Sequence, residues 1–177
     1  MTIESTPTAT ANIELVSTDL GTTDFQDIRK IRYDVFVIEQ ECSEEEEWDE
    51  YDATSKHLLL KVDGVAVGCS RWRKVYYPKY EGNMECDVIK LERFAVLKEF
   101  RGKSFGKELV QQVIRNVYSE TQGQYPLFMI NAQQYVEKFY KGLGFETDAN
   151  IPIFYEANIP HVRMIITKDA IKSIYNL

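Results

Sequence analysis

The sequence predicts an α/β fold built around a central mixed β-sheet. Strand-like and helix-like segments alternate along the 177 residues, and two strands are joined by a short hairpin, so the sheet is not wholly parallel. A hydrophobic content of 44% suits one globular domain with its own core. Because no linker or internal repeat divides the chain, we expect a flexible N-terminus over residues 1–11 and a single domain over residues 12–177.

Charge and cysteine content limit the class of protein. The chain has 28 acidic and 21 basic residues and no Lys/Arg-rich block, which argues against a nucleic-acid partner. Three scattered cysteines without a CxxC pair indicate reduced thiols rather than disulfides or a zinc cluster. Neither a signal peptide nor an apolar run of about 20 residues is present. We expect a cytoplasmic protein that does not bind membranes.

The first half of the chain is predicted to be strand, helix and hairpin. Residues 12–17 alternate apolar and polar side chains, and a Gly-Thr-Thr turn then offers an N-cap for a helix of about three to four turns from Asp24. Residues 57–62 and 65–72 are strand-like, and Asp63-Gly64 between them suits the positive φ angles of a type I′ turn. Residues 74–87 lack periodicity and are predicted to form a loop.

The second half alternates strands with helices. Residues 90–97 are predicted as a strand, and a helix with one apolar face follows from Ser104. Residues 127–131 form a buried strand, and a further helix ends at Gly144, where a left-handed residue is needed. Strand-like pieces follow around Phe145 and over residues 162–167, before a short terminal turn. The whole would be a sheet of about six to seven strands flanked by about four helices.

Residues 101–107, RGKSFGK, carry the clearest chemical signal. They join a strand to a helix, so free backbone N–H groups and the helix dipole form an anion site there. Two glycines allow close approach of a phosphate, and three cations surround it. These residues are Arg101, Gly102, Lys103, Gly106 and Lys107. A P-loop is excluded because Leu97 occupies its first glycine position. On these residues alone, a surface turn that caps a helix is an equally good interpretation.

The order and spacing of LERFAV, R-x-x-S-x-G, the long helix, LFMIN and NAQQYVEKFYKGLGF resemble the core of the GNAT superfamily of acetyl-CoA-dependent N-acetyltransferases. Arg101, Ser104 and Gly106 match its loop motif, although Ser104 stands where Gly is usual. Because Ser can adopt ordinary helical φ and can cap a helix, we expect the loop to be retained. RYDVFVIEQ, the E-x-D-x-x-D of residues 47–52, HLLL and IPHVRM further resemble the small ElaA-like subgroup.

This resemblance implies the GNAT fold, in which two parallel strands splay apart and hold acetyl-CoA. Here they would be residues 90–97 and 127–131. Tyr140 matches the position from which many GNAT enzymes protonate the departing CoA thiolate, whereas spacing alone would make it a core aromatic. The implied cofactor-binding residues are Phe94, Ala95, Val96, Arg101, Gly102, Lys103, Ser104, Phe105, Gly106, Lys107, Asn131 and Tyr140.

The acceptor side has three candidates for the general base, namely Glu39, Glu92 and His161. Glu39 is preferred because it belongs to the family's Glu-Gln pair, and with Gln40 these residues form the expected substrate set. Each candidate also has an ordinary structural interpretation. Glu39 would be a helix-end ion-pair partner, Glu92 an exposed edge charge and His161 a packed turn residue. Arg93 is expected on the opposite strand face, where it would hold the sheet electrostatically.

Residues 39–52, EQECSEEEEWDEYD, contain nine acidic residues, without which the chain would carry 19 acidic against 21 basic residues. Glu39 and Gln40 are assigned to the pocket, and Glu44–Glu46 to solvated charge. Glu47, Asp49 and Asp52 are expected to fix the loop through backbone N–H bonds. A metal site is not expected here, because the EF-hand pattern and its glycine are absent.

The implied function is transfer of an acetyl group from acetyl-CoA to the primary amine of a small molecule, by direct attack in a ternary complex. An amino sugar or a polyamine-like compound would be the acceptor. The alternatives are a protein or peptide N-acetyltransferase, which needs an open groove, and a non-catalytic acyl-CoA-binding module. Acetyl-CoA is the expected cosubstrate, and assembly as a homodimer is left open.

Overall fold

The computed structural model describes residues 11–77 and 86–177, which form one mixed sheet with helices packed against it. Within these ranges the sheet has eight strands in the order β1-β2-β3-β4-β5-β8-β6, and β7 pairs with β8. The strands are β1 (Ile13–Thr18), β2 (Lys56–Val62), β3 (Val65–Tyr77), β4 (Cys86–Val96), β5 (Leu127–Gln133), β6 (Glu146–Thr147), β7 (Phe154–Glu156) and β8 (Ile159–Thr167). The mixed sheet expected from the sequence is confirmed, including the strand piece next to Phe145, which is β6, and the short β7 is added.

Five α-helices occur in the described parts of the chain. They are α1 (Thr23–Arg32), α2 (Glu44–Glu47), α3 (Phe105–Glu120), α4 (Glu137–Lys141) and α5 (Lys168–Tyr175). Helix α1 continues directly into a π-helix, Tyr33–Glu39, and 3₁₀ turns cover Glu50–Ala53, Lys98–Phe100 and Gln134–Val136. Across residues 11–77 and 86–177, none of the helices combines the length and the apolar character needed to cross a membrane.

Local sequence signals define several boundaries. The Thr22 hydroxyl accepts a hydrogen bond from the Phe25 N–H at 3.1 Å and caps α1. Asp63 and Gly64 have φ angles of 50° and 80°, which confirms the predicted hairpin turn between β2 and β3. Gly144, with φ of 93°, is the predicted left-handed residue after α4.

Two predicted boundaries are wrong. The expected loop over residues 74–87 is partly strand, because β3 continues to Tyr77 and pairs with Cys86 at the start of β4. Tyr77 is buried against Val88 and Met129, an anchor that the loop-like composition concealed. Residues 78–85, also in that prediction, lie outside the described residues, as do residues 1–10 of the expected flexible N-terminus. The terminal turn is helix α5, capped by Thr167.

The sheet is covered on both faces by apolar side chains. Leu58 and Leu60 on β2 pack into a core that includes residues of α3 and α5, whereas Leu59 packs with α1 on the opposite face. All three leucines are fully buried. The continuous apolar run HLLL therefore reflects a strand buried on both sides. Helices therefore cover both faces of the sheet, and the sheet itself opens between the neighbouring strands β4 and β5.

Candidate active site

Strands β4 and β5 are parallel neighbours that separate after a short contact. They pair only at Ile89 with Phe128 and Lys90 with Met129, although β4 continues to Val96 and β5 to Gln133. A bulge in β4 accompanies the separation: Arg93 has φ of 57°, and the pairing with β3 shifts at this point. A bulge bends its strand and increases the twist, which turns β4 away from β5.

The gap between these strands opens into a cavity of about 600 Å³. Residues 90–96 of β4 line one wall, and residues 130–133 of β5 line the other. The bulge at Arg93 lies within this wall, and every residue from Lys90 to Val96 contributes atoms to the cavity lining. The predicted separation of two parallel strands is therefore present, and each strand contributes backbone and side chains to one binding space.

The loop predicted to bind pyrophosphate lies at the N-terminus of α3. Gly102 and Ser104 both have left-handed φ angles, 77° and 64°, and the Ser104 side chain forms no capping hydrogen bond. The expectation that Ser104 adopts ordinary helical φ and caps α3 is wrong. The chain must reverse sharply into the helix at this position, which explains why glycine is usual there. The first N–H groups of α3 remain available to an anion.

Gly106 is the one member of this loop among the described residues that line the cavity. A Cβ atom placed on Gly106 would have Phe139 Cζ as its nearest neighbour, at 3.9 Å. The space in front of this backbone is therefore open, as the approach of a phosphate requires. The remaining loop residues, Arg101, Gly102, Lys103, Ser104, Phe105 and Lys107, lie outside the cavity wall and are exposed or half-buried.

Tyr140 on α4 lines the cavity from beneath the gap. The residue is 8% exposed, and its ring contacts those of Phe139 and Phe145, with centroids 5.0 and 5.8 Å away. Phe94 on β4 lies 6.2 Å away, measured between ring centroids. Burial raises the pKa of Tyr140, and the neighbouring Tyr135 adds to this effect. The phenol consequently keeps its proton at neutral pH and is available as a donor.

Side-chain hydrogen bonds connect β5 to neighbouring segments at the part of the cavity lined by His161. The Gln133 side-chain amide donates a hydrogen bond of 2.9 Å to the Gln40 side chain, which joins β5 to the end of the π-helix. Asn131 donates through Nδ2 to Glu156 Oε1 at 2.7 Å, which joins β5 to β7. His161 on β8 lines this part of the cavity and is 7% exposed.

Glu39 occupies a different position from the one expected. Its carboxylate forms a bidentate pair with Arg101, with distances of 2.5 and 2.9 Å, and Arg101 Nε donates to the Val96 carbonyl at 2.9 Å. The hydrogen bond from Arg101 lowers the pKa of Glu39, although slight burial opposes it. Glu39 is not among the described residues that line the cavity. It holds the loop before α3 rather than facing the acceptor end.

The acidic segment neutralises buried arginines. Arg32 and Arg71 are almost completely buried, and Asp52 Oδ1 lies 2.7 Å from a terminal nitrogen of each. Asp49 pairs with Arg71 at 2.5 Å, and Glu47 forms an ion pair with Arg32. The expectation that these carboxylates mainly bind backbone N–H groups is wrong. One such bond exists, from the Tyr51 N–H to Asp49 at 3.0 Å. Buried guanidinium groups need negative charges nearby. These carboxylates supply that charge, so most of their contacts go to arginine rather than to backbone N–H groups.

Arg93 extends this ionic cluster to the cavity wall. Its Nε lies 3.0 Å from Glu47 Oε2, an ionic contact without hydrogen-bond alignment, and its Nη2 lies 3.2 Å from Asp49 Oδ2. Arg93 thereby ties β4 to the acidic segment, as the electrostatic expectation proposed. Glu44, Glu45 and Glu46 are all exposed, as expected, and the Glu46 side chain also closes a capping box with Ser43 at the start of α2.

Glu92 lines the cavity but is only 9% exposed, so it is not an exposed edge charge. Burial alone would raise the pKa of Glu92, yet three neighbouring cations together hold it below its usual value. These cations are Lys90, 3.0 Å from Oε2, and Arg71 and Arg73, each 2.8 Å from Oε1. A carboxylate held in this way is a weak proton acceptor.

Residues 26–168 match the family model described as the acetyltransferase (GNAT) domain. The chain belongs to the GNAT superfamily. It is 32% identical over 135 residues to the uncharacterized N-acetyltransferase YjcF of Bacillus subtilis, covering 76% of this chain and 86% of YjcF. Escherichia coli ElaA matches with a TM-score of 0.68 at 23% identity, over 88% of this chain and 99% of ElaA. An acyl-CoA N-acyltransferase from Pseudomonas aeruginosa matches with a TM-score of 0.69 at 20% identity, over 88% and 100% of the chains.

Membership in the GNAT superfamily makes the protein an acyltransferase and confirms the resemblance found in the sequence. The cavity brings together nine residues expected at the site: Gln40, Glu92, Phe94, Ala95, Val96, Gly106, Asn131, Tyr140 and His161. Among the cavity residues with polar contacts that were missed are Gln133 and Glu156. Gln133 could have been found, because it lies two residues beyond Asn131 on the same strand face. Glu156 lies in the short β7, whose sequence carries no motif.

Proposed function

We propose that this GNAT protein transfers the acetyl group of acetyl-CoA to the primary amine of a small molecule, in a ternary complex. The observation that carries the proposal is the continuous cavity of about 600 Å³ between the separated strands, whose lining includes Gly106, Tyr140 and His161. A cosubstrate that enters beside Gly106 and an amine that enters beside His161 would meet close to Tyr140.

The residues present fit acetyl-CoA. Beyond Lys90, the edge of β4 that faces β5 has no ladder partner within the described residues, so its backbone is free to bind an extended pantetheine arm. The open space at Gly106 and the unpaired N–H groups at the start of α3 suit a pyrophosphate. Acetyl-CoA supplies an activated thioester, whose acetyl group an uncharged amine can accept.

In this proposal the protein contributes orientation and proton transfer. The β4 backbone around Phe94 to Val96 positions the thioester and donates an N–H to its carbonyl oxygen, which stabilises negative charge there. The Tyr140 phenol, kept protonated by burial, gives its proton to the leaving sulfur. Apolar side chains of α3 that line the cavity, Leu109 and Val110, exclude water from the thioester.

The hydrogen bonds at the expected acceptor end favour a small molecule over a protein substrate. The Gln133–Gln40 hydrogen bond and the Asn131–Glu156 hydrogen bond cross the wall where a peptide would need an open groove. Glu156 has no Lys or Arg partner in the described parts of the chain, and its carboxylate is half exposed at the cavity. A second cationic or hydrogen-bond-donating group on the acceptor, as in an amino sugar or a polyamine, would bind there.

The test is release of the CoA thiol from acetyl-CoA by the full-length protein in the presence of spermidine, glucosamine, L-lysine and short peptides. We expect thiol release that depends on one or more of the small amines and saturates with their concentration. Release only with peptides would favour a protein N-acetyltransferase. If calorimetry shows tight CoA binding but none of the tested amines causes release of the CoA thiol, the enzymatic proposal is defeated. That result would indicate an acyl-CoA-binding module.

A further inference from the structure

His161 has a defined tautomer in this fold. Its Nδ1 lies 2.8 Å from the main-chain carbonyl of Ile159, on the same strand. A carbonyl oxygen only accepts hydrogen bonds, so Nδ1 carries the proton in the neutral ring and Nε2 retains a lone pair. The ring is further fixed by stacking on Phe154, with centroids 6.0 Å apart and planes inclined by 23°. The basic nitrogen therefore points away from the strand backbone.

The free Nε2 lies next to a carboxylate at the acceptor end of the cavity. Glu156 Oε2 is 3.9 Å from His161 Nε2, while Glu156 Oε1 accepts the 2.7 Å hydrogen bond from Asn131. Both His161 and Glu156 line the cavity that also contains Tyr140. This arrangement places a neutral base beside a negative charge that can stabilise its protonated form.

The groups around His161 leave Glu156 as its ionic neighbour. Strand β5 presents the uncharged Asn131 and Gln133 opposite β8, and Gln133 pairs with His161 in register. Strand β7 presents Phe154 and Glu156. Two residues along β8, Arg163 donates from Nε to Asn131 Oδ1 at 3.4 Å, and its guanidinium carbon lies 5.9 Å from the centroid of the Phe154 ring. Arg163 is therefore a cation of the same polar cluster, and among the described residues its ion pairs do not include Glu156 or His161.

The carboxylates of the other two candidate bases, Glu39 and Glu92, form ion pairs with Lys or Arg. Glu39 is bound in a bidentate pair by Arg101, and the Glu92 carboxylate contacts three cations. His57, the second of two histidines in the chain, places Nε2 2.9 Å from the Asp52 carbonyl and does not line the cavity. Among the described residues considered for this role, His161 alone offers an unoccupied lone pair at the acceptor end.

We propose that His161 is the general base of acyl transfer and that Glu156 is a positioning residue that stabilises the imidazolium. This rests on the proposed function. As the amine nitrogen forms its bond to the acetyl carbon, Nε2 accepts one amine proton, the carbon–sulfur bond breaks and the sulfur takes the Tyr140 proton. The imidazolium then releases its proton to water, and water reprotonates the phenolate, so the net products are the N-acetyl amine and CoA thiol.

The first test needs no substrate. With two histidines in the chain, long-range ¹H–¹⁵N spectra at neutral pH resolve both rings, and His161→Gln identifies the His161 signals. We expect the Nδ1–H tautomer for His161 and the opposite Nε2–H tautomer for His57, which donates to the Asp52 carbonyl. An Nε2–H tautomer at His161 would overturn the proposal, whether or not any acceptor has been found.

The second test uses the first amine of the panel that supports thiol release. His161→Ala should lower kcat/KM about 10²- to 10³-fold and remove the acid limb of the pH profile, with the Kd for CoA unchanged. Added imidazole should partly restore turnover, an effect that a merely structural role would not produce. Glu156→Gln should lower kcat while the Kd for CoA stays unchanged, because the imidazolium formed during the reaction loses its neighbouring carboxylate.

The outcomes separate the two proposals. If kcat/KM of His161→Ala stays within threefold of the wild-type value across the pH range, His161 is not the base, although the protein is still an acetyltransferase. If wild-type protein shows no amine-dependent thiol release, the proposed function fails, and the tautomer measurement still decides whether His161 presents a free Nε2. Loss of activity with neither imidazole rescue nor a changed pH profile would also overturn the assignment.

Discussion

Asp52 joins two buried arginines that have no access to solvent, which makes it the most informative position for stability. Its Oδ1 lies 2.7 Å from Nη1 of both Arg32 and Arg71, and its Oδ2 lies 3.2 Å from Arg32 Nη2. Asp52→Asn keeps the shape of the side chain but removes its charge. The perturbation therefore tests the ionic contribution with little change in packing.

The decrease in the free energy of unfolding expected for Asp52→Asn depends on how buried Asp52 is and on which carboxylates still contact the two arginines. Breaking a buried ion pair costs about 3–5 kcal/mol. Asp52 has a side-chain exposure of 15%, and each arginine keeps another carboxylate, Glu47 for Arg32 and Asp49 for Arg71. We therefore expect the free energy of unfolding to fall by about 3 kcal/mol, at the lower end of this range. For a chain of this size that corresponds to a Tm lowered by roughly 6–12 °C.

The assay is urea unfolding at pH 7, followed by tryptophan fluorescence. Trp48 is a suitable probe because its ring lies 4.5 Å from the Arg32 guanidinium carbon. The midpoint should fall while the m-value stays constant. Glu50→Gln is the matched control, since Glu50 is an exposed carboxylate of the same segment, and it should change stability by less than about 0.5 kcal/mol. A loss below about 1 kcal/mol for Asp52→Asn would refute this account of the ionic cluster.

Four further outcomes are expected. Tyr140→Phe should lower kcat about 100-fold with unchanged Kd for CoA, whereas the exposed Tyr155→Phe should be neutral; equal kcat values in thiol-release assays would remove Tyr140 as the acid. Gly106→Ala should raise the calorimetric Kd for CoA about tenfold at unchanged Tm, because the added methyl fits the fold at 3.9 Å from its neighbour but blocks the phosphate; unaltered affinity would contradict the loop assignment. Ser104→Gly should raise the Tm slightly, because relief of left-handed strain of about 1–2 kcal/mol exceeds the added chain entropy of about 0.4–1 kcal/mol; a lower Tm would count against strain. Although burial opposes it, pairing with arginine lowers the pKa of Asp52, so its contribution is present above the unfolded pKa of about 3.9 and is lost as pH falls below it. The urea midpoint of the wild type should therefore decrease from pH 5 to pH 3 more steeply than that of Asp52→Asn.

Short-range features of the sequence were sufficient for much of the fold. The period of the apolar residues defined α1 and α3, the Asp63-Gly64 turn defined the hairpin, and Gly144 marked the end of a helix. Each of these depends on residues within one or two turns of chain. The prediction failed where a distant partner decided the outcome, as for Tyr77, whose burial against β5 extends β3 through residues that look like a loop.

The same distinction applies to the site. Gly106 and Tyr140 were found because they occupy fixed places in short, spaced motifs that match the GNAT family. Glu39 was given the wrong surroundings, because nothing near it in the chain indicates Arg101, which is 62 residues away. Ser104 was expected to be helical, since its φ angle is imposed by the direction in which β4 enters α3 and not by the residue itself.

By itself, the sequence determined most of the strands and helices, the turn that precedes α3 and the identity of the family. These properties follow from periodicity and spacing, which are local. Only the tertiary structure decided which carboxylates neutralise Arg32 and Arg71, and that His161 keeps a free nitrogen beside Glu156. Charge pairing depends on distances of a few ångströms between residues far apart in the chain, and those distances are set when the sheet is assembled.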